Sequence, residues 1–95
     1  MRILIMRVTL RASWVHSLKE KRMVIKSIMQ KLKNKFNISV SEVAEQDIHQ
    51  ILVIGIAAVC GSSAQISSIM ENIISFIEEN CDAEITNIEN EEELF

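Results

Sequence analysis

Residues 50–60 decide the fold, and their sequence, QILVIGIAAVC, contains the longest apolar stretch of the chain, Ile51 to Cys60. Apolar residues occupy both odd and even positions, a pattern typical of a strand that is covered on both faces or central in its sheet. Gly61-Ser62-Ser63 ends this strand and offers hydroxyl groups for a helix cap, so a helix is predicted over 64–79. A last strand is predicted over 83–89, before the acidic end 91–93.

The N-terminal half predicts a second unit of the same kind. Residues 2–11 (RILIMRVTLR) alternate between apolar and polar positions, which indicates a half-buried strand. Ser17-Leu18-Lys19-Glu20 fits a capping box, in which the serine hydroxyl and the glutamate carboxylate each accept a backbone N–H, and a helix is predicted over 18–35. Residues 37–45 (NISVSEVAE) predict a strand, and the change of parity before Val43 indicates a bulge or a sheet edge.

The predicted order is strand, helix, strand, strand, helix, strand. Two such β-α-β crossovers predict an α+β, ferredoxin-like βαββαβ sandwich with two helices on one face of a four-stranded antiparallel sheet. The first and third strands are expected at the centre, and the other sheet face is expected to stay open, with Arg7, Thr9 and Arg11 on it. The chain has no proline and only two glycines, so 1–95 is predicted to be a single domain with a short acidic C-terminal end.

The charges are strongly segregated along the chain. All ten Lys and Arg lie in residues 1–35, where Glu20 is the only acid, and the other twelve acids lie in 36–95. This asymmetry indicates an acidic partner for the basic part, while the net charge of −3 argues against nonspecific coating of DNA. No apolar run is long enough to span a membrane and no cleaved signal is recognisable, so we expect a cytoplasmic protein that does not bind membranes.

The first helix has two distinct faces at 100° per residue. Its apolar sector, expected to pack on the sheet, comprises Leu18, Ile25, Ile28, Met29, Leu32 and Phe36. A separate sector about 60° wide, here called the basic stripe, comprises Lys19, Arg22, Lys26 and Lys33. Three further cations, Lys21, Lys31 and Lys35, are assigned to the other flank of the helix.

Three short motifs resemble a known family. They are the run Ser17-Leu18-Lys19-Glu20-Lys21-Arg22, the run F-N-I-S-V-S-E-V over 36–43, and the pair Gln46-Asp47. In this order they resemble the YlxP-like family of small bacterial proteins, a domain of unknown function. The resemblance implies a ferredoxin-like fold and a link to translation-related genes, with RNA or the ribosome as the suspected partner and no established activity. Family members often have an aromatic residue after Gln-Asp, where this chain has Ile48-His49-Gln50, so stacking there is not expected.

Cations at helical spacing can neutralise successive phosphates and release their counterions, so the basic stripe is a candidate phosphate-binding ridge. The alternative is an ordinary solvated helix face. The predicted RNA- or phosphate-binding residues are Arg7, Arg11, Lys19, Lys21, Arg22, Lys26 and Lys33. With no tyrosine and few other aromatics, recognition by base stacking on the sheet is not expected. Trp14, just before the helix cap, either stacks on a base or closes the loop onto the core.

The sequence offers little for catalysis. Cys60 precedes a helix N-terminus, which would favour a thiolate, but a buried structural cysteine is the simpler interpretation. His16 and His49 lack metal-ligand spacing, and Gly61-Ser62-Ser63 is a poor phosphate loop because no lysine follows it. We therefore expect a protein that is not an enzyme and has no cofactor or metal.

The sequence is compatible with three classes of partner. The first is RNA or a ribosomal particle that docks on the basic first helix. The second is a protein, with that helix meeting an acidic surface, and a homodimer through the open sheet face is expected. The third is a small anion. The two charge blocks could neutralise each other within one subunit or between subunits.

Overall fold

The computed structural model describes residues 1–95 and contains the six predicted elements in the predicted order. They are β1 (Arg2–Arg11), α1 (Leu18–Lys35), β2 (Ser39–Ala44), β3 (Ile51–Cys60), α2 (Ser63–Asn80) and β4 (Glu84–Leu94). Neither helix combines the length and the hydrophobicity needed to cross a bilayer.

The four strands form one antiparallel sheet in the order β2-β3-β1-β4. β1 and β3 are the central pair and are aligned along their whole length, from Arg2 opposite Cys60 to Arg11 opposite Ile51. The apolar composition of β3 at both parities matches this central place. The α+β, ferredoxin-like arrangement predicted from the order of elements is confirmed.

Both helices cover the same face of the sheet, and the core lies between the two layers. The sheet contributes alternate residues of β1 and β3, and α1 lies over β2 while α2 lies over the other three strands. The main buried side chains are Leu4, Met6, Val8 and Leu10 of β1, Leu52, Ile54 and Ile56 of β3, Ile25, Ile28 and Leu32 of α1, and Ile66, Ile73 and Ile77 of α2. Phe36 and Phe76 meet edge to face, with ring centroids 5.5 Å apart.

Serine hydroxyl groups begin both helices. Ser17 Oγ accepts the N–H of Glu20 at 3.1 Å, as predicted for α1. The Glu20 carboxylate accepts from the Ser17 hydroxyl at 3.4 Å rather than from a backbone N–H, so only half of the capping box forms. In α2, Ser62 Oγ accepts the N–H of Gln65 at 3.1 Å, and Gln65 in turn accepts the N–H of Gly61. The helix begins within the predicted Gly-Ser-Ser segment.

The two edge strands differ from the sequence-based bounds. β2 is shorter than predicted, and its pairing with β3 shifts register between Glu42 and Ala44, so the parity change marks both a bulge and an edge. β4 is longer than predicted because the backbone of the acidic residues 91–93 pairs with β1, although their side chains remain exposed. Pairing with a long central strand overrides the low β-propensity of glutamate. Phe95 and Met1 close this end through backbone hydrogen bonds.

Candidate nucleic-acid interface

The basic stripe of α1 is exposed to solvent. Lys19, Arg22, Lys26 and Lys33 are all exposed, and none of them contacts an acid. The three ion pairs of the molecule involve other cations. Glu20 is the only acid on the helix and bonds to its own cap. The stripe is therefore a row of positive charges that no acid of the chain neutralises.

Lys21 does not belong to the phosphate-binding set, which corrects the sequence-based assignment. Its side chain is 1% exposed, and Nζ donates to the carbonyl oxygens of Glu45 and Ile48, the latter at 2.7 Å. Nζ also lies 3.3 Å from Oε2 of Glu42 on β2. The ammonium group is thus fully engaged in holding the turn between β2 and β3 onto α1.

The helical angle of Lys21 could have revealed this role. Lys21 precedes Ile25 by four residues and Ile28 by seven, so it lies on the apolar sector of α1 and not on its flank. A lysine on that sector must find buried acceptors, and the end of β2 supplies them. Of the other flank residues, Lys35 is exposed, and Lys31 donates to the carbonyl oxygen of Asn80 at the end of α2, at 3.3 Å.

Arg7 lies on the open sheet face as predicted, but its guanidinium is paired with Glu89 on β4. The hydrogen bond donated by Arg7 lowers the pKa of Glu89 and outweighs the opposing effect of desolvation, and the positive charge of Arg7 adds to the lowering. The same hydrogen bond and charge raise the pKa of Arg7 above its usual value. Arg7 is therefore less available to a phosphate than the stripe. Arg11 is exposed, makes no ion pair, and lines a surface cavity together with Trp14, Asp82 and Glu84.

Trp14 is 43% exposed and lies outside the buried core. The loop that contains it is closed by other residues, because Val15 is buried and the Gln50 amide donates to the carbonyl oxygens of Ser13 and Val15, both at 3.1 Å. Closure of the loop onto the core, one of the two roles predicted for Trp14, is thus performed by its neighbours. The indole lies instead in a surface cavity beside Met23 and Lys31.

The open sheet face contains a shallow groove of about 500 Å³. Gly55 lines this groove. A Cβ atom at this position would lie only 2.6 Å from Cγ1 of Val43, the residue at the bulge of β2, so a side chain larger than that of glycine does not fit without movement of Val43. The face is apolar at one end of β1 and β3, where Ile5 is 42% and Val59 67% exposed. This face supplies the apolar surface that the predicted dimer would need.

The other candidates from the sequence are dispersed. Cys60 is 3% exposed within the core, Cys81 is partly buried, and both are free thiols. Burial keeps reagents away from Cys60, as the structural interpretation requires. His16 and His49 are exposed, and no three His, Cys, Asp or Glu side chains gather as a metal site would need.

The charge blocks are also separated in space. α1 lies over β2, whereas the acids of α2 and β4 lie on the other half of the sandwich. Three contacts join the blocks within the subunit: Arg2 with Glu92 at 2.7 Å, Arg7 with Glu89, and Lys21 with Glu42 at 3.3 Å. Apart from these pairs, the cations of the basic block make no ion pair with the acids of the acidic block.

Fold and surface together define a small ferredoxin-like α+β sandwich with an unpaired basic helix. The family model described as "Protein of unknown function (DUF503)" matches residues 3–90, and the chain belongs to this family. It is 45% identical over 62 residues to "Uncharacterized protein YlxP" of Bacillus subtilis (strain 168), a match that covers 65% of this chain and 67% of that protein. The resemblance to YlxP-like proteins is thereby confirmed.

Proposed function

We propose that the protein is a non-enzymatic accessory factor that docks on RNA, free or in a ribosomal particle, through the basic stripe of α1. The observation that supports this function is the row formed by Lys19, Arg22, Lys26 and Lys33, exposed and without a single acidic partner. An ordinary solvated helix mixes both signs of charge, which lowers the energy of its surface.

The dimensions of the stripe suit a nucleic-acid backbone. From Lys19 to Lys33 the helix rises about 21 Å, so the stripe is long enough to lie alongside several phosphates of an RNA duplex. Contacts of this kind neutralise phosphates and release counterions without reading bases. Recognition by shape and backbone is typical of proteins that bind double-stranded RNA.

The acidic half of the protein restricts the orientation in which it can bind RNA. The acids of α2 and β4 lie away from the stripe and repel a polyanion, so only one side of the sandwich suits RNA. The same acids limit nonspecific binding. We place this activity in the cytoplasm, where ribosomal RNA is accessible.

The test compares binding to a structured ribosomal RNA fragment at about 50 mM and about 200 mM salt, by fluorescence anisotropy. One variant changes Lys19, Arg22, Lys26 and Lys33 to Gln. A matched variant changes Ser67, Ser68, Asn72 and Ser75 on the exposed side of α2 to Glu, which alters the net charge equally at a distance from the stripe.

We expect salt-sensitive binding that the stripe variant loses and the α2 variant largely retains. An equal loss of RNA binding in both variants would show that binding depends only on the net charge of the protein. Absence of RNA binding by the folded parent protein would overturn the proposal.

A second candidate is a homo-oligomeric interaction module whose basic helix meets an acidic protein surface. The observation that favours it is the exposed apolar strip with Ile5 and Val59 on the open sheet face, together with the acidic half that a second copy would offer to α1. It predicts assembly that persists after nuclease treatment, measured by sedimentation velocity. A monomer at all concentrations would exclude it.

A further inference from the structure

The outer edge of β4 is a long unpaired strand edge. β4 is last in the sheet order and bonds only to β1, so its other side presents unsatisfied backbone N–H and C=O groups along Glu84–Leu94. Beyond the irregularity opposite Thr9 and Leu10, its pairing with β1 is regular from Asn87 to Leu94. An edge of this length, without proline or a bulge in that part, is a template for an added strand.

On the helix side of this edge, α2 and β4 leave an opening. A cavity of about 600 Å³ lies there, and its apolar lining includes Ile74 of α2 and Ile85 and Ile88 of β4. All three side chains are only partly buried. A strand added to β4 would direct every second side chain to the helix side of the sheet. Those beside Ile85 and Ile88 would reach this opening, where apolar side chains would complete the packing of α2, whereas farther along the edge they would lie beside Asn90 and Glu92.

On the open side of the same edge, the side chains are acidic. Glu89, Glu91 and Glu93 alternate along β4 opposite Arg7, Ile5 and Ile3 of β1. Glu89 is neutralised by Arg7, whereas Glu91 and Glu93 contact no cation. The remaining side chains of an added strand would therefore face uncompensated negative charge.

We propose that β4 receives an extended segment of a partner protein as a fifth strand, in which apolar residues alternate with Lys or Arg. The apolar residues would pack toward Ile74, Ile85 and Ile88, and the cations would pair across the strands with Glu91 and Glu93. This surface lies away from the basic stripe and is independent of the RNA-binding proposal.

A second copy of this chain fits the edge poorly. Antiparallel pairing of two β4 strands would place glutamates against glutamates, which is destabilising. The other edge strand, β2, is short, bulged and without any cation, so it does not supply the basic side chains either.

The binding probe is a capped peptide of about eight residues that alternates Lys and Val, studied by NMR with ¹⁵N-labelled protein. The decisive readout is hydrogen exchange of the β4 amides that point away from β1 between Asn87 and Leu94. We expect these amides to become protected when the peptide binds. A Glu-Val peptide, a Lys-Ser peptide, and a Lys-Val peptide N-methylated on its pairing edge are each expected to leave them unprotected.

A charge-reversed variant tests the specificity. Glu91→Lys with Glu93→Lys is expected to weaken binding of the Lys-Val peptide about tenfold and to allow binding of the Glu-Val peptide. Glu71→Lys with Glu79→Lys on α2 changes the net charge equally and is expected to alter the affinity far less.

Three results would overturn the proposal. The first is equal weakening by both pairs of substitutions, which would indicate nonspecific attraction. The second is binding without protection of the outward amides. The third is concentration-dependent protection in the free protein, which would make a second copy the occupant.

Discussion

Nζ of Lys21 on α1 lies 3.3 Å from Oε2 of Glu42 on β2, and both atoms are shielded from solvent. The same ammonium donates to the carbonyl oxygens of Glu45 and Ile48. Glu45 has a φ of 56°, in the left-handed region that non-glycine residues seldom adopt. Lys21 thus connects a strained turn, the half-buried carboxylate of Glu42 and the first turns of α1.

Loss of this ammonium should destabilise the fold strongly. Lys21→Met keeps the length of the side chain but leaves Glu42 and two carbonyl oxygens without their partner, so we expect a loss of about 3–5 kcal/mol in the free energy of unfolding. The measurement is urea denaturation followed by circular dichroism. Lys19→Met, at an exposed position of the same helix, should change stability by less than about 0.5 kcal/mol. Similar stabilities of the two variants would contradict the anchoring role.

The contact between Gly55 and Val43 predicts a second, sterically coupled effect. Gly55→Ala would place a methyl group 2.6 Å from Cγ1 of Val43, and we expect a cost of about 1–3 kcal/mol. Val43→Ala in the same chain should recover most of it, as a double-mutant cycle would show. Gly61→Ala is the matched control, because its nearest neighbour, Oε1 of Gln65, would lie at an ordinary 3.5 Å. Equal effects at the two glycines would exclude the close approach as the cause.

The Arg7–Glu89 pair predicts a pH effect with a definite sign. The folded-state pKa of Glu89 is lowered, so the pair stabilises the protein above the unfolded pKa of about 4.3 and this contribution disappears as the pH falls through the folded pKa. An NMR titration of the side-chain carboxyl of Glu89 should give a pKa below its usual range that returns toward it in Arg7→Gln. Arg11→Gln removes the same charge without removing the hydrogen bond and should leave the pKa of Glu89 unchanged. The opposite ranking of the two variants would refute the assignment.

The open sheet face predicts self-association that one substitution can break. Val59→Glu would place a charge in the exposed apolar strip that includes Ile5, and we expect it to shift a dimer to monomer in sedimentation velocity. Met23→Glu adds the same charge at an equally exposed methionine of α1, away from this face, and should leave the association unchanged. A monomeric parent protein, or equal dissociation by both variants, would contradict the predicted interface.

The fold was predictable because local signals agreed with one another. Residues 2–11 alternate between apolar and polar, residues 50–60 are apolar throughout, and a serine precedes each helix. Together these signals specify the order of the elements and hence the topology. The C-terminal part of β4 escaped prediction because glutamates have low β-propensity, and only the length of the neighbouring β1 makes them a strand. That information is tertiary and absent from any local window.

The site was predictable in part. Helical spacing places Lys19, Arg22, Lys26 and Lys33 together, and all four are exposed. The pairing of Arg7 with Glu89 depends on the register between β1 and β4, which a sequence does not state. The burial of Lys21 could have been inferred from its helical angle, but its acceptors lie in the turn after β2, whose position depends on how β2 pairs with β3.

Single substitutions should separate phosphate contacts from bulk charge. If Lys26 contacts one phosphate, Lys26→Gln should weaken RNA binding and reduce the slope of log affinity against log salt by about 1, because one fewer counterion is released. Lys31→Gln removes the same charge from the opposite flank, where Lys31 donates a hydrogen bond to the carbonyl oxygen of Asn80, and should leave the slope unchanged. Binding measured over several salt concentrations distinguishes the two outcomes. Equal slopes for both variants would show that RNA senses only the total charge, and the stripe would then be an ordinary solvated face.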